Sequence, residues 1–327
     1  MEEIKVNDIE FISTDHVLQE IQDMNVKGGS PFGRAAAWAF KLAVEKEKFN
    51  NYSEIESRFK VIRNKLHDLK PTMATINNTS LIIEKELELN KEKSVNEISH
   101  IISEVADSII SYSFDSVKKV GDIGAAYIKD NDTILMHSYS STLMEVFIRA
   151  AKQGKKFKVI CTESRPLRES RNAVNILQEL DVETKFISDA SVYEFLNLAD
   201  YVLMGADSLS ADGSVANKMG TAQIAKLASF CRIPVFIASE LYKLDLRTQF
   251  GYAVELERRS KWELVNKDNF KKMEKLEVIN QFFDLTPASD IRAIITEFGF
   301  LHPAQLSIYW NELERKIGAR LIFISKS

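Results

Sequence analysis

The sequence predicts an α/β protein in two parts: an all-helical N-terminal domain, residues 1–118, and a parallel-sheet domain, residues 119–327, with helices between its strands. Three observations carry this. Up to about residue 118, apolar residues recur every three or four positions, the period of helices with one buried face. Past Gly121, short apolar runs alternate with helical stretches, the pattern of strand–helix–strand units. Glycine is scarce, 12 in 327 residues, against a usual share of about 7%. Even so, Gly28, Gly29 and Gly33 fall in one loop and Gly205, Gly213 and Gly220 in another. A chain this sparing with glycine places it where the backbone takes a positive φ or approaches something closely.

In the helical part, the pattern from residue 15 to about 49 breaks at Lys27-Gly28-Gly29-Ser30 and restarts at Arg34, with Ala36, Phe40 and Ala43 on one face. Free N–H groups at such a helix start suit a phosphate, though the same turn also serves as a plain helix connection. Ser53 and Glu56 read as a capping box for a helix carrying Ile55, Phe59, Ile62, Leu66 and Leu69, which ends before Pro71. Lys70 then stands on an exposed corner. Residues 75–89 are again helical. A second capping box, Ser94 with Glu97, opens a long helix with Ile98, Ile101, Ile102, Val105, Ile109, Ile110, Phe114 and Val117 in one stripe.

Beyond it, strands are predicted at residues 133–136, 156–161, 184–187, 201–204, 234–238 and 292–296, a Rossmann-like series. The clearest helix between them, from Ser141, puts Leu143, Val146, Phe147 and Ala150 on one face and stops at Gly154. Residues 244–280 are charged and mixed and yield no order.

The stretch VLMGADSLSADGSVANKMGT, residues 202–221, reads as strand, loop, helix, with the helical pattern resuming at Met219. Ligands of open α/β sheets lie beyond the carboxyl ends of the strands, which is where Asp207 falls. Asn217, Lys218, Gly220 and Thr221 add donors near the next helix start, suited to an anion. The other strand ends carry His137-Ser138-Tyr139-Ser140-Ser141, then Glu163-Ser164-Arg165, Asp189, and Glu240 with Lys243. Hydroxyls, cations and carboxylates together suit a polyhydroxylated, phosphorylated small molecule. Singly, each has a plainer reading: Ser140 or Ser141 as a cap, Arg165 paired with Glu163 or Glu169, His137 as a satisfied core residue.

A 45% hydrophobic, 28% charged composition describes a globular chain with a sizeable core, and a net charge of −4 provides no basic field for nucleic acid or anionic membrane. Cys161 and Cys231 are too few for a disulfide framework and read as buried reduced thiols. The five histidines are dispersed, so no metal and no cofactor is predicted. MEEIKVNDIEF lacks an apolar targeting core and no run approaches the length of a membrane span, so a soluble cytoplasmic protein is expected.

His137-Ser138-Tyr139-Ser140, CTESRP, GADSLSADGSVANKMGT and Glu240-Leu241-Tyr242-Lys243, in this order and spacing, resemble the initiation factor 2B-related family, and the likeness covers nearly the whole chain. Lys27-Gly28-Gly29, Lys70-Pro71-Thr72 and Phe283-Asp284-Leu285-Thr286-Pro287 are similar to its ribose-1,5-bisphosphate isomerase pattern. The family holds regulatory subunits of translation initiation factor 2B and sugar-phosphate isomerases. In the isomerases, the resemblance implies, a cysteine and the aspartate of GAD move hydrogen between the first two sugar carbons. Asp207 matches the aspartate, and Ser138 stands at the cysteine. Gly28, Gly29, Arg165, Asn217, Lys218 and Lys243 fit the ligand-holding pattern, Lys70 stands where the family carries an arginine, and Ser30, His137, Ser140, Ser141 and Glu240 are further candidates for holding the phosphosugar. A hydroxyl forms its basic state far less readily than a thiol. The first reading is therefore a regulatory protein binding a phosphorylated sugar or nucleoside monophosphate, with contact to translation initiation factor 2. The alternative is an isomerase of ribose 1,5-bisphosphate to ribulose 1,5-bisphosphate, and a purely structural assembly subunit comes last. The resemblance also implies a homodimer or trimer of dimers.

Overall fold

The computed structural model describes residues 9–317. Residues 1–8, read above for a targeting segment, and 318–327, assigned above to the sheet domain, lie outside the described residues. The helices α1 (Thr14–Gln22), α2 (Gly29–Lys46), α3 (Tyr52–Leu69), α4 (Ala74–Leu89) and α5 (Val95–Tyr127) come first. Then follow β1 (Thr133–Met136), α6 (Ser141–Lys152), β2 (Lys158–Thr162), α7 (Ser170–Glu179), β3 (Glu183–Ile187), α8 (Val192–Leu196) and β4 (Tyr201–Met204). The chain continues through β5 (Ser208–Leu209), β6 (Val215–Lys218), α9 (Thr221–Phe230), β7 (Val235–Ala238) and α10 (Lys261–Leu264). It closes with β8 (Phe283–Thr286), β9 (Ala293–Thr296), β10 (Gly299–Leu301) and α11 (Leu306–Ile317).

The main sheet runs β10-β9-β7-β4-β1-β2-β3 and is parallel except for β10. Successive strands step outward from β1 to β3 on one side, and from β4 to β9 on the other. The order reverses between β1 and β4, which opens a crevice beyond their carboxyl ends. Side chains alternate across the sheet as the strand period requires: Leu135 joins the core shared with the N-terminal helices, while Ile134 and Met136 join the one under α6.

Several expectations are corrected. The cap of α3 is Asn51, whose side chain accepts from the Glu54 N–H, so Ser53 lies inside the helix and the predicted box with Glu56 does not form. Helix α2 begins at Gly29 rather than Arg34, with Gly28 at φ 94° as its cap. The loop after β4 folds into a hairpin of β5 against β6, and β6 pairs on its other edge with β8 from far along the chain. Asn217 and Lys218 therefore sit on a strand, and the next helix begins at Thr221. In α5 the buried stripe drifts off Phe114, which is 55% exposed, to Ser113, Ser116 and Val120. Cys161 is buried as expected and burial pushes its thiol up to about 12, whereas Cys231 is only half-buried.

The polar run in α4 docks the helical part onto the sheet part. The buried Asn78 amide donates to the Tyr242 and Leu244 carbonyls, both at 2.7 Å, and Thr75 Oγ1 donates to Gly29 O at 2.7 Å. These bonds hold the start of α2 against the loop after β7. The approach is close: a Cβ at Gly33 would lie 2.7 Å from Thr75 Cβ, inside van der Waals contact. Gly33→Ala is expected to cost about 1–3 kcal/mol by overpacking. A chemical-denaturation midpoint equal to that of the wild type would contradict this packing.

Candidate active site

A cavity of about 640 Å³ is lined by residues from most of the strand ends named above. Ser138 and Tyr139 follow β1, Arg168 and Glu169 follow β2, Asp207 follows β4 and Lys218 ends β6. Gly28 comes from the start of α2 and Lys70 from the end of α3. Asp207 and Ser138 thus stand at the two strands that flank the crevice.

Asp207 is set by its backbone, whose N–H donates to Ala216 O of β6 at 2.9 Å. Burial raises its carboxyl to about 6, against the opposing pull of Lys243 and Lys218. Lys243 is buried and donates to Ala206 O at 2.9 Å, and its ammonium lies 3.3 Å from Glu240 Oε2. Space for this turn comes from Gly205, where a Cβ would lie 2.5 Å from Ser140 Cβ. Ser138 has a φ of 66°, a left-handed conformation that a serine holds only against strain.

Lys218 is buried; its Nζ lies 2.8 Å from Glu169 Oε1 and 3.3 Å from the Phe282 ring centroid. Desolvation lowers its pKa, opposed by Glu169 and then Asp207. The far wall is made by Arg259, which pairs with Glu263 at 2.7 Å and stacks over Phe282 at 4.5 Å. Lys70, expected on an exposed corner, is 6% exposed. Met24 and Phe32 cover it, with Nζ 3.0 Å from Met24 Sδ and 5.4 Å from the Phe32 ring centroid, and desolvation lowers its pKa. It remains on the cavity wall.

Of the residues singled out from the sequence, the structure brings Gly28, Lys70, Ser138, Asp207 and Lys218 onto this wall. Gly29, Ser30, Glu240 and Lys243 stand behind it: a Cβ at Gly29 would touch Lys243 Cε at 3.1 Å, and Ser30 Oγ lies 3.4 Å from Thr142 Oγ1, which donates to Glu240. Ser140 caps α6 by accepting from the Leu143 N–H, and Ser141 opens that helix. Asn217 donates to Thr221 Oγ1 at 2.9 Å. His137 is buried, with Nε2 2.9 Å from Met219 O and Nδ1 2.6 Å from Thr162 Oγ1. These bonds assign the Nε2–H tautomer, and burial lowers its pKa, keeping the ring neutral. Arg165 is not on the wall; it is exposed and donates to Leu264 O at 3.1 Å. Arg168 takes its place as the partner of Glu163, at 3.3 Å.

Glu169, Arg168, Arg171, Glu257, Arg259, Glu263 and Phe282 line the cavity without having been predicted to. Glu257, Arg259 and Glu263 come from the region that yielded no order, whose long irregular path carries no periodicity, and Phe282 lies just past it. Arg168 and Glu169 lie just past the CTESRP motif, where a charge beside a strand end was the available signal. Among the described residues, no cluster of His, Cys, Asp or Glu is placed to hold a metal, and no helix is long and apolar enough to cross a membrane.

Fold and cavity together define an α/β protein with a cavity lined by charged residues at the switch point of a mostly parallel sheet. The chain belongs to the Initiation factor 2 subunit family, whose model matches residues 25–303. It is 34% identical to the ribose 1,5-bisphosphate isomerase of Methanocaldococcus jannaschii over 96% of this chain and 98% of that protein. It is also 34% identical to the Archaeoglobus fulgidus protein of the same name, over 90% of this chain and 91% of the relative. Among solved structures, the Pyrococcus horikoshii translation initiation factor eIF-2B superposes with a TM-score of 0.75 at 29% identity, covering 89% of this chain and 98% of that one.

Proposed function

We propose that this protein is a sugar-phosphate isomerase that converts ribose 1,5-bisphosphate to ribulose 1,5-bisphosphate. The observation that carries the reading is Asp207, a carboxyl raised to about 6 beside Lys218 in the switch-point crevice. The two relatives named for this activity support it, and the order of the two readings drawn from the sequence is reversed. The observation favouring the binding-only reading, with its contact to translation initiation factor 2, is Ser138 at the cysteine position. A phosphorylated sugar is the ligand in both. The homodimer or trimer of dimers and the cytoplasmic location belong to the same proposal.

The chemistry sets the roles. Opening the ribose ring breaks C1–O4, and the electron pair on O4 takes a proton. Hydrogen moves from C2 to C1 with its electron pair, and the 2-hydroxyl loses its proton as C2=O forms. One group must donate a proton and another must accept one. A carboxyl raised to about 6 keeps its proton in mildly acidic solution, where an ordinary aspartate has lost it, and this suits Asp207 to donate to O4. Lys70, Lys218 and the N-terminus of α2 offer the charge and N–H groups for phosphate.

The test is product formation with ribose 1,5-bisphosphate, read by chromatography against pH. A donor works only while protonated, so kcat/KM is expected to fall as pH rises through about 6. Absence of product from ribose 1,5-bisphosphate would overturn the isomerase reading. A melting-temperature shift with the same compound, without turnover, would restore the regulatory one.

A further inference from the structure

The proposed reaction leaves the proton of the 2-hydroxyl without an evident receiver. Ser138 offers an unactivated hydroxyl. Both ring nitrogens of His137 are engaged, by Met219 O and by the hydroxyl of Thr162. Glu169 remains. It occupies the N-cap position of α7, where a carboxylate ordinarily accepts from the helix N–H groups, yet it makes no such bond. Its side chain is turned to the cavity, with Oε1 2.8 Å from Lys218 Nζ. The other oxygen, Oε2, is buried with no hydrogen-bond partner. A buried acceptor left without a donor is costly; Oε2 itself is closed to solvent, so a substrate hydroxyl meets this carboxylate through the part of the side chain that lines the cavity. Lys218 is in electrostatic reach of both Glu169 and Asp207, so the two carboxylates share one cation at one cavity.

We infer that Glu169 is the second proton-transfer group of this site, accepting the 2-hydroxyl proton while Asp207 delivers one to the ring oxygen. The inference rests on the isomerase reading. The O2–H bond breaks toward Glu169 and its pair forms C2=O. The C2–H pair moves to C1, and the C1–O4 pair leaves on O4 with the proton from Asp207. Glu169 then releases its proton to solvent and Asp207 recovers one, so the cycle balances without any other reactant. The carboxylate stands in for the thiol that the family's isomerases are expected to carry at Ser138.

Steady-state kinetics with ribose 1,5-bisphosphate on wild type, Glu169→Gln and Glu169→Asp tests this, with ligand binding read by thermal shift. Glu169→Gln is expected to lower kcat by about 10²-fold or more with KM changed less than about threefold, and Glu169→Asp to recover part of it. Adding Ser138→Cys to Glu169→Gln is expected to raise turnover again, because a thiolate supplies the missing base. If Glu169→Gln keeps its kcat, or changes KM alone, the inference falls while the isomerase reading stands. If wild type forms no product, both fall. Glu169→Asp preserves the charge beside Lys218 and keeps the test open should Glu169→Gln fold poorly.

Discussion

Asp207→Asn is expected to lower kcat for ribose 1,5-bisphosphate by about 10²–10⁴-fold, the range for loss of a positioned proton donor. The amide keeps the size and polarity of the side chain but has no acidic proton for the ring oxygen. Binding should survive, because Lys218, Lys70 and the start of α2 are untouched; a retained melting-temperature shift with ligand checks this. The same variant has a second signature. Burial raises the Asp207 carboxyl from its ordinary 3.8 to about 6, so the folded state holds the proton more tightly than the unfolded one. Its contribution to stability is full below 3.8 and is lost as pH rises through about 6. Asparagine never ionises and never loses it. The variant should therefore gain on wild type as pH rises from 4 to 7, by an amount on the order of 2–3 kcal/mol. Denaturation curves at a series of pH values read this directly, and a constant gap would show that Asp207 is not desolvated.

Lys218→Met is expected to damage stability and binding together. The ammonium is buried between Glu169 at 2.8 Å and the Phe282 ring at 3.3 Å. Methionine preserves much of the chain's volume but leaves Glu169 with neither oxygen partnered, since Oε2 already lacks a donor. Breaking a buried ion pair from one side costs about 3 kcal/mol. Adding Glu169→Gln should return part of that loss, because the amide does not leave a charge stranded, and a double-mutant cycle measures the coupling. The ligand-induced thermal shift should stay absent in both variants. Additive effects in the cycle would mean that the pair does not operate in solution.

The legible part of the site was the part carried by local grammar. Asp207 was found because an apolar run ending in Gly-Ala-Asp marks a strand and its exit, and that exit faces the ligand edge whatever the remaining topology. Ser94 with Glu97 was found because a capping box closes within one helical turn, and the structure has it. Ser53 with Glu56 matched the same pattern and failed, because Asn51 two residues earlier already caps α3 with its own side chain. Lys70 was misread as solvated because its corner follows a helix and precedes Pro71. What buries it, Met24 and Phe32, comes from the turn after α1 and the start of α2, some forty residues earlier in the chain.

The sequence by itself determined the division into a helical part and a sheet part, the positions of the central strands, the family resemblance and the place of Asp207. Each of these rests on periodicity, turn chemistry or motif spacing within a few tens of residues. Only the tertiary structure decided that Lys218 lies on β6, since that strand exists through its pairing with β8. It alone moved Arg165 off the wall and put Glu169 on it, one turn of loop further on. It also brought Arg259 from the irregular region, and Phe282 from just beyond it, across to Lys218. Such placements depend on contacts between segments distant in sequence, where charge pairing and desolvation are settled by what packs alongside, and no local pattern encodes that neighbour.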